Sequence, residues 1–226
     1  MRRAKLLDTL RGFSIILVII HHALYDFMVF LDAPQRLESI RTAIFFGAYI
    51  FILLCGICCN YSRSNLKRGV KTLALAMMIT LVTGVMNMVI RFGILHFLAF
   101  GMIFYAFTEK MWKNAPRVPT MAISLILFLL TYKLQFGVVT EYRHLWMFGL
   151  TYRGFYSSDY FPILPWVFIF VIGVILGQYI KEDRAPDAVY DFEIKPLSFI
   201  GRHSLIIYIV HQPILYGLCI ILAKMQ

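Results

Sequence analysis

The sequence predicts an all-α fold, a polytopic bundle of about seven transmembrane helices. Three observations carry that expectation. Apolar residues make up 60% of the 226-residue chain against 15% charged, with a mean hydropathy of +0.75, whereas soluble domains are roughly half apolar and a quarter charged. Apolar runs of about spanning length recur seven times, none with the period-two alternation of a barrel strand. Lysine and arginine gather in alternate connecting segments.

The expected spans are 10–30, 40–59, 70–89, 94–107, 121–136, 163–180 and 199–223. The first follows a basic start, as a signal peptide would, but it holds His21, His22 and Asp26 and lacks a small-residue cleavage site, so it reads as a retained helix. The fourth and fifth runs are the shortest. The sixth opens on Pro162, suited to a helix's first turn, and carries Gly173 and Gly177, a small-residue pair for close packing within the bundle. At ~20 residues per span, seven spans use nearly all of the chain, so residues 1–226 are expected to form one transmembrane domain with no separate soluble domain.

Charge sets the expected orientation. With the N-terminus in the cytoplasm, fifteen of the 22 Lys and Arg fall on the inner side, in excess at every inner segment, and the C-terminus lies outside. The net charge of +10 therefore reads as a topology signal, with the lipid bilayer and not nucleic acid as the partner. Two longer connections remain. Residues 137–161, outer and rich in aromatics, read as an interfacial lid or re-entrant segment, and residues 181–196, inner and acidic, as a solvated linker. Cys55 and Cys58 have metal-like spacing, yet no His or second pair accompanies them, so they read as packing residues and no metal is expected.

Ionisable groups inside a span are costly and mark function or a buried partner. At about 100° per residue, Asp8, Arg11, Ser14, His22 and Asp26 form one polar stripe on the first helix, with His21 turned ~100° away. Arg11 lies about 16 Å nearer the cytoplasm than His22. The last span repeats the pattern: Arg202, His203 and Ser204 at its inner start, then Tyr208, His211 and Gln212, with His211 about 13 Å beyond Arg202. Either histidine alone is explained equally well by a hydrogen bond between helices. Together, two imidazoles at one level, each with an arginine nearer the cytoplasm, favour a transbilayer site with an anion-binding inner mouth. A third set, His96, Asp159 and Trp166, lies toward the outer side. Asp159 fits a helix cap as well as acceptor binding.

Leu7-Asp8-Thr9-Leu10-Arg11-Gly12 leading to His22, Phe92-Gly93-Ile94-Leu95-His96, Asp159-Tyr160-Phe161-Pro162-Ile163-Leu164-Pro165-Trp166, and Gly201-Arg202-His203-Ser204-Leu205 with Tyr208 and His211-Gln212-Pro213 occur in this order along nearly the whole chain. Taken together they resemble the heparan-alpha-glucosaminide N-acetyltransferase family in its short bacterial form. The first and last also resemble the wider superfamily of transmembrane acyltransferases that O-acetylate envelope glycans. The resemblance implies transfer of an acetyl group from acetyl-CoA, supplied on the cytoplasmic side, to a sugar hydroxyl or amine of an envelope glycan or glycolipid on the far side of a bacterial plasma membrane. In the animal lysosomal members the position matching His22 looks like Asn, and a His follows in the next outer loop, where this chain has no match near Ala33. His22 instead resembles the buried His of the O-acetylating relatives, so the identity of the base stays open.

The residues suit that chemistry independently. Acyl transfer needs a base for the acceptor's proton and donors for the developing oxyanion. His22 is the expected base and His211 its assistant. Arg11, oriented by Asp8, together with Arg202, His203 and Ser204, would hold the acyl-CoA phosphates. Asp26, His96, Asp159, Trp166, Tyr208 and Gln212 would meet the acceptor. The competing reading is a small-molecule or lipid-linked sugar transporter or flippase using the same intramembrane polar groups. The absence of a visible internal repeat counts against it. A non-catalytic scaffold would leave the buried charges unexplained, and homo-oligomerisation stays open.

Overall fold

The computed structural model describes residues 2–31, 34, 36–85 and 88–225; Ala33 lies outside them. The chain is helical, and seven helical stretches are long and apolar enough to cross a membrane: Lys5–Phe30, Leu37–Cys59, Asn65–Val85, Ile94–Asn114, Arg117–Phe136, Ile163–Lys181 and Ser204–Ala223. The protein is a multi-pass membrane protein. Two compact units divide it, residues 1–51 with 183–226, and residues 52–182.

In the first unit, α1 (Lys5–Phe30) is the hub against which α2 (Leu37–Ile44), α8 (Asp187–Asp191), α9 (Lys195–Arg202) and α10 (Ser204–Ala223) pack. α1 and α9 cross with backbone in contact. A Cβ added at Gly12 would stand 1.9 Å from the Leu197 carbonyl oxygen, and one at Gly201 would stand 2.0 Å from that of Asp8. Glycine is required at both positions by close approach. The seventh expected span is therefore two helices, broken at His203 (φ −104°, ψ 10°), and its first four residues belong to α9. The 181–196 segment is also more than a linker. Its α8 buries Tyr190 to 2% exposure, and Arg2 pairs with Asp187 and Asp191 at 2.7 and 2.8 Å while lying over the Tyr190 ring. Apolar anchoring by one tyrosine was hidden by the acidic composition around it.

The second unit is built from α3 (Phe46–Cys59, which begins in the first unit), α4 (Asn65–Val85), α5 (Ile94–Asn114), α6 (Arg117–Thr131) and α7 (Ile163–Lys181). α3 and α7 meet through small residues: Cβ atoms at Gly56, Gly173 and Gly177 would come within 2.2 Å of Phe170 O, 2.2 Å of Leu53 O and 2.4 Å of Asn60 Nδ2. The glycine pair on the sixth span thus packs inside the unit. Asn60 ties the same seam, donating to Val174 O at 2.9 Å and accepting from the Tyr105 hydroxyl at 3.4 Å.

Residues 137–161 contain no α-helix. They form two short 3-10 turns, Tyr132–Phe136 leading in and Trp146–Phe148 within, and a parallel pairing of β1 (Val138–Val139) with β2 (Leu150–Thr151). Gly149 (φ 92°) ends the Trp146–Phe148 turn in the left-handed region just before β2. The cover docks on the segment before α5 through Phe161 N–H to Phe92 O (2.7 Å), Ser158 N–H to Val89 O (2.9 Å) and Arg91 N–H to Ser157 Oγ (3.0 Å).

Candidate functional site

α1 and α10 bring His22, Asp26, His211 and Gln212 into one cluster. Gln212 Nε2 lies 3.1 and 3.3 Å from the two carboxylate oxygens of Asp26, and its Oε1 lies 2.8 Å from His22 Nδ1. An ionised carboxylate only accepts, so the Gln212 amide donates to Asp26 and turns its oxygen toward the imidazole. His22 Nδ1 must then carry the hydrogen, which leaves the Nε2 lone pair open. Asp26 is 1% exposed, so the carboxylate end of the chain is held away from water, while Gln212 and His22 are half-buried.

His211 stands beside it, with ring centroids 5.0 Å apart in an edge-on arrangement. Its Nδ1 donates to the Tyr208 carbonyl at 2.6 Å, so its Nε2 also holds a lone pair; that atom is buried and has no hydrogen-bond partner among the described residues. The Tyr208 ring lies 5.2 Å from the His211 ring. Pro213 follows at once, lacking an N–H, so the Ile209 carbonyl loses its usual i+4 donor at this level of α10. Ser14 does not join the cluster, because its hydroxyl is spent on Gly47 O at 2.6 Å, where α3 crosses α1.

At the other end of α1, the Gly12–Gly201 crossing explains why each glycine sits next to an arginine in sequence. The backbones touch, and Arg11 and Arg202 flank the contact. Asp8 shares its carboxylate between Arg11 (3.3 Å) and Arg3 (2.7 Å), and Arg202 lies 3.7 Å from Glu193 and 3.4 Å from Ser198 Oγ. His203 forms the helix break, its Nδ1 donating to Phe199 O at 2.9 Å. Ser204 is buried at the first position of α10. The depth argument from Arg202 to His211 assumed one continuous helix, which the break at His203 replaces.

Sequence reasoning missed a second cluster on the adjacent face of α1. Arg41 is forked onto Glu38 and donates from Nη1 to His21 Nε2 at 3.2 Å, while His21 Nδ1 donates to the Arg41 carbonyl at 3.1 Å. The His21 ring is 5.8 Å from that of His22. The pairing of Glu38 with Arg41, three residues apart on a helix, was the available signal.

The third expected set belongs to the second unit. Asp159 Oδ2 accepts the Ile94 N–H at 2.9 Å, supplying at the start of α5 the cap that Gly93 cannot, and a Cβ on Gly93 would meet that oxygen at 2.2 Å. Burial pushes the Asp159 carboxyl up to about 6 from 3.8, against the pull of that hydrogen bond. His96 is buried, stacked on Phe92 and 3.4 Å from the Thr80 hydroxyl. Trp166, expected to meet the acceptor, is 1% exposed and packs its ring against those of Phe128 and Phe161. Among the described residues no group of three or more His, Cys, Asp or Glu side chains is arranged to hold a metal, and the four cysteines are unbridged.

The family described as heparan-alpha-glucosaminide N-acetyltransferase, catalytic, matches residues 3–213. No curated protein and no solved structure matches the chain.

Proposed function

The chain belongs to the heparan-alpha-glucosaminide N-acetyltransferase catalytic family, a family of acetyltransferases, and from that premise we propose that it carries an acetyl group from cytoplasmic acetyl-CoA to a hydroxyl or amine of an envelope sugar on the far side of the cell membrane. His22 is the general base. The observation that carries this reading is the Asp26–Gln212–His22 chain, which fixes the imidazole tautomer with Nε2 free to accept a proton.

In the reaction, His22 Nε2 takes the proton of the acceptor O–H or N–H as that atom attacks the thioester carbonyl carbon. The tetrahedral intermediate then expels the CoA sulfur as thiolate. His211 presents a second acceptor nitrogen 5.0 Å away, ring to ring, so the proton has a second seat while the thiolate leaves. The Asp26 charge, acting through Gln212, favours the imidazolium that forms. Arg11 and Arg202, with His203 and Ser204, take the donor's phosphates, and Asp8 keeps Arg11 in place until they arrive. Asp26 and Gln212 thereby orient the base, and contact with the acceptor is secondary for them.

The test is acetyl-CoA-dependent transfer or hydrolysis by purified His22→Ala protein. A fall of about a hundredfold or more is expected from loss of general-base help; undiminished activity overturns the assignment. Mass spectrometry of envelope glycans made with and without the protein should show an acetyl-sized difference.

A further inference from the structure

Six of the thirteen arginines are seen neutralised. Arg2, Arg3, Arg11, Arg41, Arg117 and Arg202 all pair with carboxylates. Three on the 137–161 cover and the segment it docks on are not: Arg91, Arg143 and Arg153 are exposed and have no ion pair among the described residues. Of the two carboxylates there, Asp159 is spent on the Ile94 N–H.

Arg91 is also held still. Its Nε donates to Tyr156 O at 3.2 Å, its Nη1 donates to the Tyr152 hydroxyl at 3.1 Å, and its guanidinium lies 5.5 Å over the Phe155 ring. Those partners are neutral, so the positive charge stays unspent, and Nη2 has no hydrogen-bond partner among the described residues. Arg143 lies over another ring of the same aromatic group, 6.0 Å from the Tyr152 ring, and Tyr156 is 54% exposed. An immobilised guanidinium fork with a free edge is made for a carboxylate or phosphate. Exposed aromatic faces beside it suit the apolar C–H face of a sugar ring.

We propose that Arg91, with Arg143 and the Tyr152–Phe155–Tyr156 group, binds a sugar that carries a carboxylate or phosphate. Its role as the acceptor subsite rests on the acetyl-transfer reading above; the binding itself does not. Saturation-transfer NMR on the full-length protein in phosphatidylcholine nanodiscs tests it, with glucuronate and glucose 1-phosphate as probes against glucose and inorganic phosphate. Both anionic sugars should bind more tightly than glucose or phosphate. Arg91→Gln should weaken them about tenfold, the worth of one charge-assisted contact. Arg143→Gln, which breaks no hydrogen bond of the cover, should weaken them in the same direction and carries the test if Arg91→Gln misfolds. Absence of binding, equal binding by both variants, or binding no tighter than that of phosphate overturns the proposal. Loss of probe binding when phosphatidylglycerol is added assigns the arginines to lipid headgroups instead and also overturns it. His22→Ala should leave the probes bound, so a failed catalytic assignment and a failed sugar site give different results.

Discussion

Gln212 is the residue that links the proposed base to Asp26. It touches both His22 and Asp26, and its only polar atoms are engaged in doing so. Gln212→Leu should lower kcat about tenfold to a hundredfold, the size of loss seen when the partner that orients a metal-bound imidazole is removed, while KM for acetyl-CoA stays near its original value, because the proposed phosphate site is at the other end of α1. An equal rise in KM would show that Gln212 binds the donor. Asp159 gives a second prediction at this scale. Its folded-state value is raised from 3.8 to about 6, so in that window the folded protein binds more protons than the unfolded chain. The stability it contributes is therefore highest at acid pH and declines as pH rises through the window. Asp159→Asn keeps an acceptor for the Ile94 N–H and removes the titration, so thermal melts recorded between pH 4 and 6 should lose that part of the decline. An unchanged slope would place the pH dependence elsewhere.

Among the elements, the crossing of α1 with α9 is the least forgiving contact. Gly12→Ala would drive a methyl into the Leu197 carbonyl, which is backbone and cannot swing aside, so the helices must part. A loss of about 3 kcal/mol or more is expected, at the upper end of overpacking costs, read as a lower unfolding midpoint. Gly217→Ala is the matched control: nothing stands within 4 Å of its Cβ, so the change should stabilise α10 by up to about 1 kcal/mol. The same region shows how far the sequence could be read. All seven spans were legible, because length and hydropathy report directly on the bilayer. The breaks at Phe45 and His203 were not: apolar residues continue through Phe45, whose own dihedrals stay helical, and the polar stretch 201–204 around His203 reads equally well as the start of one span. The facing of His22 and Asp26 followed from helical periodicity within α1. The bridge through Gln212 and the Arg41–Glu38–His21 cluster did not, because each depends on which helix packs against which face of α1.

For the whole molecule, seven crossings would put Lys5 and Ala223 on opposite sides of the membrane, and the charge distribution predicts which lies where. Donor chemistry gives the orientation its importance: acetyl-CoA is made and kept in the cytoplasm, so the Arg11–Arg202 end of α1 must face inward for the proposed reaction to run. The basic residues agree, since fifteen of the 22 Lys and Arg fall on the side that would carry Arg11. Alkaline phosphatase fused after residue 226 should be active, because it folds only outside the cytoplasm, and the same reporter fused after Lys113 should be inactive. Green fluorescent protein at those two positions should give the reverse. The opposite pattern would put the arginines outside, where no acyl-CoA reaches them, and would remove the donor side of the mechanism while leaving the His22–Gln212–Asp26 geometry untouched. A reporter active at both positions would mean that one of the seven helices does not cross. Arg117–Phe136 is the first to suspect, because its last turn already departs from α-helix at Tyr132.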